Sequence, residues 1–103
     1  MEQKLTEQEI VRKDLDALYI GNIRTVEFDL NLPVKGDCGS FITWETGHDR
    51  IISREGKITR PKYGMGNRTV PMTATAVYGK AAAKRVFEVR VLEEENKIQV
   101  DEV

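Results

Sequence analysis

Apolar residues recur along this chain with two different spacings. From Thr6 the spacing is helical: Ile10, Val11, Leu15 and Leu18 fall on one stripe, while Glu7, Arg12, Lys13 and Asp16 look to water. Thr6 followed three residues on by Glu9 is a capping box, which satisfies two free amides at a helix start. The pattern predicts a short helix over 6–18, ended by Gly21-Asn22, that docks by a narrow face.

The period then changes to two. Val26, Phe28, Leu30 and Leu32 alternate with Glu27, Asp29 and Asn31 up to Pro33, predicting a half-buried strand. Turn chemistry at 35–40, with Gly36 and Gly39 around an Asp, precedes a second strand at 41–46. Short extended pieces follow at Ile51-Ile52-Ser53 and Lys57-Ile58-Thr59-Arg60, separated by Arg54-Glu55-Gly56 and stopped by Pro61.

The clearest alternation comes last. Val70, Met72, Ala74 and Ala76 lead through Gly79-Lys80 to Phe87, Val89 and Val91, predicting a long terminal hairpin. Pro71 has no amide hydrogen, so its strand is expected near an edge or opposite a gap. Ile98 and Val100 have the alternation of an added edge strand.

Six or seven short strands, each with one polar face, hide their apolar sides by pairing two sheets. The expected fold is therefore all-β, a β-sandwich of about seven strands with a short N-terminal helix. A small β-barrel would bury the same residues, and periodicity does not separate the two. The expected core is Phe28, Leu30, Ile42, Trp44, Val70, Met72, Ala74, Phe87, Val89 and Val91. Residues 1–5 read as an extension, 6–92 as the domain with its sandwich over 24–92, and 93–103 as an acidic tail or linker.

Composition narrows the function. With 103 residues, 40% of them hydrophobic and 32% charged, the chain has room for one core. Lys plus Arg is 16 against 17 for Asp plus Glu, a net charge of −1, so nothing draws the chain to nucleic acid or an anionic membrane. No apolar run reaches the ~18–20 residues of a spanning helix, and the first residues lack the apolar segment of a signal peptide. One Cys and one His exclude both an internal disulfide and a structural zinc site of two Cys/His pairs. No cofactor is expected.

Several segments together resemble a known family. Asp29-Leu30-Asn31-Leu32-Pro33, then 36–44 from Gly36 to Trp44, then Ile51-Ile52-Ser53 and Gly56-Lys57-Ile58-Thr59-Arg60-Pro61 resemble the atrophied bacterial immunoglobulin-like domain. The strands at 69–76 and 84–91 are similar to its closing pair, and the likeness covers about residues 10–92. The resemblance implies an immunoglobulin-like sandwich, a non-catalytic module beside catalytic domains of secreted or surface-attached bacterial glycoside hydrolases, arabinan-degrading ones among them. It implies neighbouring domains as partners, an extracellular or cell-surface location, and no catalytic residues. Thr46-Gly47-His48-Asp49 lacks the family's usual Pro after the Trp, and Cys38 stands where a small polar residue is usual.

Candidate chemistry is sparse. Trp44 could stack on a sugar ring or fill the core, and the resemblance favours the core. His48, Arg60, Tyr63 and Tyr78 lie in or beside turns, where they could grip a glycan or a neighbouring domain. His48, Asp49 and Glu45 are neighbours, but no cleft or nucleophile accompanies them, so no acid–base role is assigned. Paired carboxylates for glycoside hydrolysis would need to face each other across a groove that the sequence does not indicate.

Asp37 with Asp29 or Asp49 lacks a calcium-loop spacing. Asn67-Arg68-Thr69 matches a glycosylation acceptor pattern of low specificity, and Gly64-Met65-Gly66 reads as a turn. Cys38, flanked by Gly39 in a loop, is expected to be exposed and incidental. Two other roles remain beside the accessory module: a carbohydrate-binding module, and a repeat for cell-surface adhesion.

Overall fold

Thr6 and Glu9 close the expected capping box in a computed structural model that describes residues 4–95. The Glu9 amide donates to Thr6 Oγ1 at 3.1 Å, and the Thr6 amide donates to Glu9 Oε1 at 2.8 Å. Helix α1 spans Glu7–Asp16 and stops at the cap residue Ala17, short of Leu18 and well before Gly21. At its end Leu15 O accepts from the Leu18 amide at 3.2 Å and from the Arg85 guanidinium at 2.6 Å. The chain then turns to bring Ile20 into the core.

Three strands follow: β1 Phe41–Thr46, β2 Arg68–Tyr78 and β3 Ala81–Val91. They form one antiparallel sheet in the order β1-β2-β3. The expected second strand and terminal hairpin are thus present, and Gly79-Lys80 makes the turn between β2 and β3 with Gly79 at φ +60°. The inner face carries Ile42 and Trp44, then Val70, Met72, Ala74 and Ala76, then Phe87, Val89 and Val91, all buried. Val11 and Leu15 of α1 pack onto that face.

Among the described residues the sheet has three strands, not seven. Residues 20–35 and 47–61 cover the inner face beside α1, but among the described residues their ladders shrink to isolated bridges, Val26 with Val91, Lys35 with Phe41 and Ile52 with Ile58. The strand expected from Val26 to Leu32 lacks a continuous partner because β3 ends at Val91. Past that bridge the chain bonds to a loop instead: the Leu30 amide donates to Gly56 O at 2.7 Å, and the Ile58 amide to Asp29 Oδ1 at 2.8 Å. Alternation is lost with the ladder. Val26 is buried, Leu30 is only partly buried, and Phe28, expected in the core, is 79% exposed.

Central β2 accommodates Pro71 by a gap and not by an edge. Arg90 turns its amide and carbonyl away from β2, toward Ile23 and Val26, so its partner Thr69 and, two residues on, Pro71 turn theirs away from β3. The proline nitrogen therefore points past the end of β1, where Gly47 approaches and donates to Pro71 O at 2.8 Å. Ile98 and Val100, with most of the tail, lie outside the described residues.

Candidate functional site

Trp44 lies in the core. Both Trp44 and Arg85 are opposite Ala74 on the central strand, whose small side chain lets Trp44 reach Phe87 across it. The two ring centroids are 5.6 Å apart with planes tilted by 41°, and the Arg85 guanidinium stacks 4.3 Å from the Phe87 centroid. The indole Nε1 donates to Pro33 O at 2.7 Å, so the polar edge of the ring is also engaged. Truncating either ring to alanine at such a position costs about 3–5 kcal/mol.

The four loop candidates do not converge. Arg60 is drawn into the fold, with Nε donating to Leu92 O at 3.0 Å and a terminal nitrogen to Glu93 O at 2.5 Å. Tyr63 is exposed on the following loop. Tyr78 lies at the far end of β2, an 11-residue strand and so roughly 33 Å away, half-buried with its ring edge over Gly39. His48 stands just past β1, its amide donating to Thr46 Oγ1 at 3.1 Å and its carbonyl accepting from Ile51 and Ile52.

An open depression near this end of β1 is lined by Glu45, Thr46, Asp49, Ser53, Arg54 and Glu55. Among the described residues no group of three or more Cys, His, Asp and Glu side chains is placed to hold a metal ion. Among them, too, no helix is long and apolar enough to cross a membrane.

The most organised polar cluster centres on Asp14, which the sequence reading passed over. Asp14 is buried on the inner side of α1, where Oδ1 accepts from the Cys38 amide at 2.7 Å and Oδ2 from the Ser40 amide at 3.0 Å. Gly36 lies so close that a Cβ there would strike this carboxylate. Burial by itself would raise the Asp14 pKa. The Ser40 hydroxyl beside it, and the Cys38 and Ser40 amides, outweigh burial and hold it below the ordinary carboxylate value. Among the described residues Ser40 Oγ, though buried, has no partner of hydrogen-bonding geometry, so it acts on the carboxylate as a nearby dipole.

Cys38 is half-buried and not the exposed thiol expected. Burial first, then the Asp14 carboxylate, push its pKa up. A thiol so placed is a poor nucleophile. The signal for Asp14 was present in the sequence: it is three residues after Val11, a charge on the apolar stripe.

Glu93 was also overlooked within its acidic run. Its Oε1 accepts from the Gly64 and Gly66 amides at 3.2 and 2.7 Å, and its own amide donates to Asn67 Oδ1 at 2.8 Å. Gly64 and Gly66 have φ of +92° and +88°, which turns both amides toward one oxygen.

The buried carboxylate, the packed tryptophan and the strands worn down to bridges all belong to a scaffold. A family model described as the atrophied bacterial Ig domain matches residues 11–94. The chain belongs to that family. Atrophied bacterial Ig domains are in general non-catalytic, and the family suggests an accessory module. No curated protein matches the sequence. In this Ig-like domain the second layer consists of bridges and turns held by Asp14, Asp29, Arg60 and Glu93.

Proposed function

We propose that this atrophied Ig domain is a non-catalytic packing and spacing module of a larger secreted or cell-surface bacterial protein, a polysaccharide-degrading glycoside hydrolase of arabinan or xylan type. The observation that supports it is the state of Trp44. The ring best suited to stack on a sugar is packed against Phe87, with its N–H bonded to Pro33 O. Arg60 is committed to backbone carbonyls in the same way, and Tyr63 and Tyr78 stand at opposite ends of β2. Such a domain contributes surface and rigidity to its neighbours, not chemistry.

The test has two arms. Arabinan and xylan titrated into the isolated domain leave the Trp44 emission and the calorimetric baseline unchanged. Joined to its natural neighbouring domain, the module raises that domain's Tm. Saturable polysaccharide binding would establish the carbohydrate-binding alternative, and no change in the neighbour's Tm would remove the packing role.

A further inference from the structure

Among the described residues, the outer edge of β3 is free over most of its length. Arg90 sends its amide and carbonyl outward to Ile23 and Val26, so strand alternation turns the same groups of Ala82, Lys84, Val86 and Glu88 outward as well. Among the described residues none of these four backbones has a partner on that side. All four residues are exposed, Val86 by 53%. A lysine on such an edge ordinarily discourages an added strand. Here the signs along the edge are their own complement.

We propose that two copies of this chain pair antiparallel through β3, centred on Val86. With the twofold axis at Val86, each Lys84 lies directly opposite the partner's Glu88, and Val86 opposite the partner's Val86. Because Val86 turns both amide and carbonyl outward, the central pair exchanges two hydrogen bonds, as an antiparallel ladder requires. Competing registers are disfavoured by charge. Centring on Lys84, Arg85 or Glu88 sets that residue against itself, and centring on Phe87 sets Lys84 against Arg90. The interface is isologous and closes after two subunits, and its ladder runs from Lys84 to Glu88, because beyond Glu88 the outward groups of Arg90 are already held by Ile23 and Val26.

Sedimentation velocity of the full chain, from micromolar to millimolar concentration with reductant present, tests this. A monomer–dimer equilibrium is expected. Lys84→Glu or Glu88→Lys alone turns two attractive contacts repulsive and weakens the dimer by about tenfold or more. The double variant K84E/E88K restores it. Amide hydrogen exchange at Val86 slows as the dimer fills, while circular dichroism confirms that each variant is folded. A monomer at all concentrations would overturn the pairing, as would a dimer indifferent to both reversals or one the double variant fails to restore.

Discussion

The carboxylate of Asp14 and the backbone amide of Ser40 meet at 3.0 Å although 26 positions separate them. Through this contact and the Cys38 amide, α1 holds the loop that leads into β1. Asp14→Ala leaves two amides without an acceptor, and the expected loss is roughly 2–3 kcal/mol in urea unfolding. The depressed pKa gives this contribution a pH sign. The folded value lies below the ~3.9 of an unfolded Asp, so the stabilisation is complete above that value and is lost as pH falls through the folded one. Stability measured across that acid window therefore falls less steeply in Asp14→Asn than in the wild type.

The thiol of Cys38 responds to the same carboxylate. With its pKa raised by burial and by Asp14, little thiolate exists near pH 8, and iodoacetamide alkylates native Cys38 more slowly than the unfolded chain. In Asp14→Ala the rate rises and its pH profile moves to lower pH. An unchanged profile, followed by mass spectrometry, would contradict this placement.

Alternation in the sequence marked β1, β2 and β3 correctly because each of those stretches has a partner strand along its length. The stretch from Val26 to Leu32 has the same pattern without one, which is why Phe28 faces solvent. Periodicity reports what a strand would bury, not whether a neighbour exists to make it a strand. Alternation set Trp44 on one strand face with Ile42, and the resemblance to the family favoured the core for it. Asp14 left only a hint, a charge on the apolar stripe, and Glu93 left none, because each acts on amides far along the chain, and residue type alone does not distinguish such an acceptor from a solvated acid.

Gly56 lies where the two irregular segments meet, its carbonyl accepting the Leu30 amide at 2.7 Å. It is buried at φ +93°, and a Cβ there would strike Leu30 O. Gly56→Ala meets both an unfavourable backbone region and a clash with main chain. The expected cost is about 2 kcal/mol or more, seen as a lowered Tm in calorimetry.

Arg85 joins the helix end to the sheet through Leu15 O and the face of Phe87. Arg85→Ala is expected to cost about 1.5–3 kcal/mol in denaturant unfolding. Arg85→Lys keeps the charge but loses the planar stack, and recovers less than half of that loss. Full recovery with lysine would mean that charge alone matters at this position.

Glu7, in the first turn of α1, accepts the Lys80 amide at the tip of the hairpin, across 73 positions of chain. Within this domain the helix, made before the hairpin, therefore waits for it to find its seat. As the polypeptide emerges, α1 has no sheet to settle on, and a ten-residue helix alone is marginal in water. Folding during synthesis is thus delayed until β3 has left the ribosome, and a chain cut short before it carries a stranded amphipathic segment suited to chaperone capture.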